Sequence, residues 1–475
     1  MMYMDIGILA QIPIEELPES TQFLETFVTE TYYYWASVFM LIIHVGFLAY
    51  EGGASRAKNV LATMVKNLLT LSTVGLAFFF FGWWVYWAFA LFPFNGGIIG
   101  PWTSPDVEGA AADILPLVQA SYPWSEAMGP NLGDNLTGVF WFAFSLFAMT
   151  TASIMSGAVI ERIKLGAYVI LATVLGGFTW VVAAAWGWNY WGWFTTNLGY
   201  HDFGCSAVVH GVSGFFALGV LLNLGPRIGK YDENGNPRPI LPHNLPLTMV
   251  GLMLIFVGFY AFLAACVIYS PGFARETTIY DTPMTLASIA VNTTLALCVG
   301  IIGSYLGSKG DPFFTISGGL AGIISVGAGL DLYSPLLVIP IAFVGALTMP
   351  WVGMWIEKLG VDDAVGAVAV HGYCGVFGAL AVGIMASGYI QGEGYPATGI
   401  IGQLIPTLIC IGLLGFLPGY GVSWVLNQMG LLRVPAEEEI EGLDLGDFGT
   451  PGYPEYSIVS GEEFHSGAGI KTPQV

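Results

Sequence analysis

Apolar segments long enough to cross a lipid bilayer recur along the whole of this 475-residue chain. A transmembrane helix needs about 20 mostly apolar residues, and a backbone in hydrocarbon must satisfy its own hydrogen bonds, which favours helices. Only 10% of the residues are charged, and 55% are hydrophobic. The pattern predicts an all-α polytopic membrane protein with eleven transmembrane helices, at 32–50, 60–92, 135–158, 165–190, 203–224, 246–268, 283–306, 313–331, 334–356, 364–388 and 399–428.

The basic residues predict the orientation, because Lys and Arg concentrate in cytoplasmic loops. Basic residues follow the odd-numbered segments: Arg56, Lys58, Lys66, Arg162, Lys164, Arg227, Lys230, Arg238, Lys309, Lys358 and Arg433. Of the 13 basic residues, only Arg275 falls in a predicted outer loop. We therefore expect an extracellular segment at 1–31, a transmembrane domain at 32–428 and an acidic cytoplasmic tail at 429–475. The first 30 residues lack a basic region, so we expect no cleaved signal peptide.

Two histidines lie inside apolar segments, in matching settings. His210 and His371 each stand in the tripeptide Val-His-Gly, with a second glycine four residues later and a phenylalanine six residues later. An ionisable side chain at membrane depth is costly, so it marks a functional site by default. The local repeat indicates one site built from two related halves. Two unrelated structural histidines are the alternative.

The remaining titratable groups exclude several classes of function. The net charge is −20, and no basic patch for nucleic acid is present. The acidic residues fit either solvated loops or the surface of a halophilic protein, whose high charge maintains solubility. The five cysteines lie in or beside apolar segments without metal-type spacing, so we expect neither a disulfide framework nor a metal site. We expect no cofactor.

Six short motifs follow one another along the chain: Glu51-Gly-Gly-Ala-Ser-Arg-Ala-Lys-Asn59, Gly157-Ala-Val-Ile-Glu-Arg-Ile-Lys164, Asp202-Phe-Gly-Cys-Ser-Ala-Val-Val-His210, Pro242-His-Asn-Leu-Pro246, Val361-Asp-Asp-Ala-Val-Gly-Ala-Val-Ala-Val-His371-Gly, and Leu432-Arg-Val-Pro-Ala-Glu-Glu-Glu-Ile-Glu-Gly-Leu-Asp444. In this order they resemble the motifs of the Amt/Mep/Rh ammonium transporters, on the Amt side, and the acidic composition fits a halophilic archaeon as the source. The resemblance extends from about residue 33 to 447.

The resemblance implies a homotrimer in the cell membrane, in which each subunit has its own pore and is not an enzyme. It also implies two five-helix halves of opposite topology, plus an eleventh helix. Inverted repeats with a site at their interface are common in transporters. The substrate is then ammonium, which is deprotonated so that ammonia can cross a hydrophobic pore. By resemblance, His210 and His371 line this pore and relay the proton, a task that suits a side chain titrating near neutrality.

Two phenylalanines match the family's outer gate. Ungapped counts from Glu161 and from His243 assign the gate positions to Phe147 and Phe262. A stacked aromatic pair there would exclude water. Ordinary core or lipid-facing rings are the alternative, since 14% of the residues are aromatic.

The outer ammonium-binding site departs from the family pattern. The position of a serine is Cys266, a weaker acceptor. We assign the aromatic side chain that attracts ammonium by a cation–π interaction to Trp191, with Tyr190 as the second candidate. Asp202 is expected to cap the fifth helix and to contribute negative potential near the outer mouth.

The tail motif resembles the family segment that docks on the cytoplasmic face and responds to a PII-type signalling protein. Its candidate regulatory residues are Arg433, Pro435, Glu438, Gly442 and Asp444. A disordered acidic tail is the alternative. In the tenth-segment motif, Ala364 and Gly366 replace the family's usual Pro and Asp, which affects regulation more than conduction.

Four other histidines, His44, His201, His243 and His465, are predicted to lie outside the pore pair. Other functions remain open as alternatives: a gas channel of the Rh kind for ammonia or carbon dioxide, an ammonium sensor, and a bis-histidine haem electron-transfer subunit. A sensor of this family would carry a fused signalling domain, for which 47 tail residues are too few. The metalloprotease motif His-Glu-x-x-His is absent from the sequence.

Overall fold

The computed structural model describes residues 19–129, 136–268, 277–391 and 394–454. Within them, ten helices are long and apolar enough to cross a membrane, and an eleventh apolar helix, α8, is shorter, with 16 residues. The helices are Thr26–Ala54 (α1), Ala57–Ala88 (α2), Thr137–Ala158 (α3), Leu165–Gly187 (α4), Ser206–Leu224 (α5), Leu245–Ala264 (α6), Leu286–Gly307 (α7), Pro312–Gly327 (α8), Pro335–Lys358 (α9), Val368–Met385 (α10) and Ile400–Gln428 (α11).

Apart from α1, the helices begin and end within four residues of the predicted segments. Helix α11 begins one residue after the predicted segment 399–428 and ends with it. Helix α1 is longer than predicted, because helical backbone begins at Glu19 and continues, with one interruption at Leu41, to Ala54. Helical structure therefore enters the segment 1–31, of which residues 1–18 lie outside the described part. Helix α8 ends before residue 331, where a turn replaces the predicted helical end.

Short elements fill the connections. Helices at Ala110–Ser121 and Trp193–Leu198 lie between α2 and α3 and between α4 and α5. After α6, strands β1 (Val267–Ile268) and β2 (Thr277–Thr278) pair antiparallel, with Val267 opposite Thr278. The tail forms two short helices, Ala436–Glu441 and Leu443–Phe448.

The outward faces of the helices stay apolar. Leu76 on α2, Ile302 on α7 and Ile401 on α11 are each more than half exposed. Large exposed apolar surfaces mark contacts with a membrane or a partner, and these occur on helices of spanning length. The chain is a multi-pass membrane protein.

Helices α5 and α10 cross at two pairs of glycines. A Cβ at Gly375 would lie 2.7 Å from the backbone nitrogen of Gly211, and one at Gly214 would overlap the backbone of Gly372. Gly211 and Gly372 directly follow the two histidines, so each histidine lies beside a backbone crossing. Small residues allow such close approach of membrane helices.

Helices α1 and α6 approach each other in a similar way. A Cβ at Gly46 of α1 would lie 2.7 Å from the nitrogen of Ile255, and one at Gly258 of α6 would lie 2.8 Å from the nitrogen of Ile43. The first helices of the two predicted halves (α1 and α6) therefore pack together, as do the last helices of those halves (α5 and α10).

We expect Gly375→Ala to destabilise the protein by about 1–3 kcal/mol, the usual cost of overpacking, because backbone atoms on α5 cannot move aside. Gly166→Ala on α4 is the matched control, since no atom lies within 4 Å of its Cβ position and alanine favours helix. Thermal unfolding in detergent, followed by fluorescence-detected size exclusion, measures both. Equal midpoints for the two variants would contradict the close crossing.

Candidate functional site

The two Val-His-Gly histidines meet inside the protein. The Nδ1 atoms of His210 and His371 lie 3.0 Å apart, and the ring centroids are separated by 5.1 Å. The two residues are 1% and 6% exposed. At this distance one Nδ1 donates a hydrogen and the other accepts it, so the two rings carry different tautomers. Such a pair can share one proton and titrate as a unit.

Both histidines lie in π-helical turns, at Ser206–Gly211 and Val368–Tyr373. Single π-helical turns occur frequently at functional sites, because the wider turn displaces the side chains from the regular helical register. Here they occur in α5 and α10 at matching positions, so the local repeat in the sequence corresponds to a repeat in backbone geometry.

An aspartate caps each of these turns, eight residues before the histidine. Asp202 accepts hydrogen bonds from the backbone nitrogens of Ser206 at 2.6 Å and of Ala207 and Val208 at 2.9 Å. Asp363 accepts from those of Ala367 at 3.0 Å and Val368 at 2.7 Å. Asp363 was not predicted as a capping residue, although its spacing from His371 equals that between Asp202 and His210.

Asp202 lies away from solvent, with 0% exposure. Burial raises the pKa of Asp202 to about 6, although the three backbone N–H groups and Tyr200 oppose this shift. Burial also raises the pKa of Asp363. The position of Asp202 suits it to capping the helix. Because its carboxylate is buried, any negative potential that it contributes at the outer mouth acts over a distance.

The two predicted gate phenylalanines are in contact directly beside the histidine pair. The ring centroids of Phe147 and Phe262 are 4.3 Å apart, with 55° between the planes, and both residues are fully buried. The pair is therefore tilted, and the expectation of a stacked arrangement was wrong. Phe262 lies 6.2 Å from the ring of His210, and Phe259 stacks on that ring at 5.8 Å.

The indole that contacts this pair belongs to Trp188, which the sequence analysis did not select. Its ring lies 4.8 Å from that of Phe147 and 5.1 Å from that of Phe144, and its Nε1 donates to the carbonyl of Phe203. Four tryptophans lie between residues 186 and 193, and counting along the chain could not distinguish among them.

Trp191 and Tyr190 have other ring partners. Trp191 lies 6.3 Å from Trp87, and Tyr190 lies 5.4 Å from Tyr395 and is 43% exposed. Cys266 is 2% exposed, and its Sγ donates to the carbonyl of Phe262 at 3.3 Å. Cys266 thus lies next to the phenylalanine pair, as its spacing of four residues from Phe262 implies.

The other described histidines bond to other partners, and His465 lies outside the described residues. The contacts join His44 Nδ1 with Ser153 Oγ at 3.4 Å, His201 Nε2 with Asp331 Oδ1 at 2.8 Å, and His243 Nδ1 with the carbonyl of Ser55 at 2.8 Å. In the described part of the chain, no three His, Cys, Asp or Glu side chains converge as a metal site would require.

A buried ionic cluster lies in the connections that carry the basic residues. Arg227 binds both oxygens of Asp362, at 2.8 and 2.9 Å, and Arg162 donates to the carbonyl of Asp362 at 2.6 Å. Glu161 accepts from Arg56 and lies 3.6 Å from Arg227. Burial alone would raise the pKa of Asp362, but Arg227 and Arg162 outweigh it and hold that pKa well below its ordinary value.

The tail docks beside this cluster. Arg433 donates to the carbonyls of Leu224 at 2.9 Å and Pro226 at 2.7 Å, and it pairs with Glu439 at 2.7 Å. Glu439 is 1% exposed and also accepts from the nitrogen of Ile228. Glu439 is a docking residue that the sequence analysis missed; its neighbour Glu438, which was predicted, is less buried.

The second part of the tail binds the start of α2. Asp444 accepts from the backbone nitrogens of Leu61 at 3.0 Å and Ala62 at 2.8 Å. Gly442 has φ of 120°, and a Cβ there would lie 2.6 Å from the carbonyl of Lys58, so glycine is required for this approach. Pro435 precedes the helix Ala436–Glu441 as its N-cap residue.

Comparison with known proteins identifies the family. The sequence model described as the Ammonium Transporter Family matches residues 31–453. Ammonium transporter Amt2 of Methanocaldococcus jannaschii is 32% identical over 428 residues, which cover 89% of this chain and 90% of that protein. Among solved structures, a sensor Amt protein is similar with a TM-score of 0.70 at 23% identity, over 89% of this chain and 99% of that one. Candida albicans Mep2 is similar with a TM-score of 0.69 at 19% identity, over 90% of each chain.

We expect Asp362→Asn to lower the free energy of unfolding by about 3–5 kcal/mol, because it leaves two buried arginines without a full counter-charge. The folded-state pKa of Asp362 lies below its ordinary value of 3.8. Its contribution to stability is therefore fully present above about pH 4 and is lost as the pH falls through the folded-state pKa.

Thermal unfolding between pH 3 and 7 checks both effects, with the exposed Asp106→Asn as control, for which the change should stay within about 0.5 kcal/mol. Asp362→Asn should be the less stable at neutral pH and should lose less stability on acidification than the wild type. Parallel pH profiles for Asp362→Asn and the wild type would refute the role assigned to this carboxylate.

Proposed function

The chain belongs to the ammonium transporter family, and on this premise we propose that it takes up ammonium at the outer face, removes a proton, and conducts ammonia past the histidine pair. The observation that carries the proposal is the 3.0 Å contact between the Nδ1 atoms of His210 and His371. The contact is buried between two spanning helices, where an ionisable pair is otherwise costly.

The chemistry follows from the cost of moving an ion through a dry passage. A bare cation in hydrocarbon costs tens of kcal/mol, whereas neutral ammonia avoids this cost. A proton acceptor is then needed beside the path, and imidazole titrates near neutral pH. The Nε2 atom of His210 is buried and has no hydrogen-bond partner among the described residues, so it is available to a substrate molecule.

Phe147 and Phe262 are proposed as the gate that excludes water from the histidines. Because both rings are fully buried and in contact, we expect one ring to rotate when substrate passes. For the cation–π step outside the gate we propose Trp188, with its neighbour Phe144, in preference to Trp191 and Tyr190, because Trp188 touches Phe147. Cys266 and the capping carboxylate of Asp202 remain proposed contributors to ammonium recruitment.

For the architecture we propose eleven spanning helices with the N-terminus outside, 1–31 extracellular, 32–428 as the transport domain and 429–475 cytoplasmic. Two inverted halves of five helices are supported by the matched packing of α1 with α6 and of α5 with α10. A homotrimer in the cell membrane is proposed from family membership.

A haem between the two histidines does not fit the geometry. Their Nδ1 atoms are in direct hydrogen-bonding contact, and the cavity beside His371 has about 10 Å³ of space for the centre of a water-sized molecule, which is far too little for a porphyrin. A gas channel of the Rh kind would pass ammonia without net charge, so a current measurement separates it from the proposal.

We expect His210→Ala and His371→Ala each to reduce ammonium-evoked current by roughly tenfold or more, since a positioned acid–base group contributes about 10²–10⁴-fold. Proteoliposomes on a solid-supported membrane provide the measurement. A carboxylate at either position should restore part of the current, because it also accepts and returns a proton.

His44→Ala is the comparison variant, since His44 is a buried histidine bonded to Ser153. It should lower thermal stability more than current. Current that depends on His44 and is indifferent to His210 and His371 would overturn the assignment of the pair.

The docked tail is proposed to regulate transport and to bind a PII-type protein. We expect truncation after Leu432 to lower transport and abolish PII binding, because it removes Arg433, Glu439 and Asp444. Truncation after Pro454 is the matched control, since it keeps this whole docked segment. Uptake and PII pull-down measure the two effects; if both truncations behave like the full chain, the tail has no such role.

A further inference from the structure

A glutamate and a lysine are buried together between the ends of α1, α2 and α3. Glu51 is 1% exposed and Lys66 is 4% exposed. The carboxylate of Glu51 accepts hydrogen bonds from Asn67 Nδ2 at 2.8 Å and from the hydroxyl of Ser156. Lys66 Nζ donates to the carbonyl of Ser156 at 2.8 Å and lies 5.2 Å from the ring of Tyr168.

This Glu51–Asn67–Ser156–Lys66 cluster is costly at its position. Burying charged side chains is costly, and ionisable groups in membrane helices mark proton or substrate paths. Neither the gate nor the histidine pair accounts for the cluster.

One small cavity joins this cluster to the histidine pair. Its lining includes His371 and Glu51, together with Phe47, Ile154, Ser317 and Val365. It has about 10 Å³ of space for the centre of a water-sized molecule, which is close to the volume that one water molecule needs. His371 and Glu51 therefore face the same narrow space, with room for about one small polar molecule between them.

A second cavity borders the cluster at Lys66. Lys66, Thr63 and Glu161 line it, and the docked tail contributes Leu443 and Asp447. Asn59, which also lines it, accepts a hydrogen bond from the nitrogen of Leu443 at 2.9 Å. The cluster thus separates the space beside His371 from a cleft that the tail covers.

We propose that Glu51 accepts the proton that leaves His371 and passes it, beside Lys66, to the tail-covered cleft, an inference that rests on the proposed function. The imidazolium of His371 gives its proton to a water molecule in the cavity, and that molecule gives one to the Glu51 carboxylate. The neutral carboxyl, held by the Ser156 hydroxyl, then releases the proton to water beside Lys66, which lines the cleft. One proton moves, each carrier returns to its starting state, and no oxidant or reductant is involved.

The groups around Glu51 fit this task. Lys66 on α2 supplies a compensating positive charge, and Asn67 and Ser156 hold the two carboxylate oxygens in place. The titratable phenols nearby are those of Tyr50, which lines the same cavity, and Tyr168 beneath Lys66. Ammonia is neutral and needs no charged carrier, so it can pass the apolar residues that line the cavity, such as Phe47 and Ile154. The proton and the ammonia molecule therefore follow separate paths after His371.

The test compares the amount of charge that crosses the membrane with the amount of ammonia that enters, in the same proteoliposomes. Charge movement after an ammonium jump is recorded on a solid-supported membrane, and ammonia entry is measured as uptake of ¹⁵N-labelled ammonium. Glu51→Gln keeps the size of the side chain but cannot accept a proton. We expect its ratio of charge to ammonia to fall by roughly tenfold or more, with ammonia entry largely kept. Glu51→Asp should restore much of the ratio.

Glu357→Gln is the matched control, because Glu357 at the end of α9 pairs with Lys230 and is partly exposed. Its ratio should equal that of the wild type. A wild-type ratio in Glu51→Gln, or an equal loss of charge and ammonia in a folded protein, would overturn the relay. If Glu51→Gln does not fold, Ser156→Ala serves, with a lowered ratio expected and an unchanged ratio overturning the proposal.

The same measurements on the wild-type protein distinguish failure of this inference from failure of the proposed function. A wild type that takes up no ammonium refutes the function itself. A wild type that takes up ammonia without charge favours the gas channel and refutes both the proposed function and the relay. A wild type that moves charge, beside a Glu51→Gln variant with the same ratio of charge to ammonia, refutes the relay alone.

Discussion

The hydrogen bond between His210 and His371 is the interaction on which the rest of the structure depends. It requires two helices to approach at their backbones, which the glycines at 211, 214, 372 and 375 allow. It also requires each imidazole to point inward at the same depth, which the two π-helical turns achieve. Asp202 and Asp363 each satisfy the free N–H groups at the start of a turn, so the backbone distortion leaves fewer donors unpaired.

The positions of the charged side chains around this histidine pair reflect the free-energy cost of burying a charge. Asp362, Glu161 and their arginines lie in the connections between helices, and there they hold the tail through neighbouring carbonyls. Glu51 and Lys66 are different, because they lie within helices of spanning length. The helices therefore expose apolar faces, and a paired ionic layer lies at the end where the tail docks. The passage proposed beside the histidine pair would favour a neutral molecule over a hydrated ion.

The sequence predicted much of the fold and the centre of the site. Hydropathy located the helices, since their composition is apolar around the whole circumference, and the repeated Val-His-Gly identified the two histidines that meet. Counting from nearby motifs selected Phe147 and Phe262, and the structure brings their rings into contact. Trp188 was missed because four tryptophans lie within eight residues. The sequence does not show which of them contacts Phe147, because that depends on the backbone path of the loop. Glu439 and the Glu51–Asn67–Ser156–Lys66 cluster were missed because their contacts with Ile228 and with Ser156 join parts of the chain that are distant in sequence.

The most direct test of the central claim compares two cations of similar size on the wild-type protein. Proteoliposomes on a solid-supported membrane receive equal concentration jumps of ammonium and of potassium. Because the path requires loss of a proton at the histidine pair, ammonium should produce a current and potassium should produce none. A potassium current equal to that of ammonium would contradict the account, since it would mean that intact cations pass.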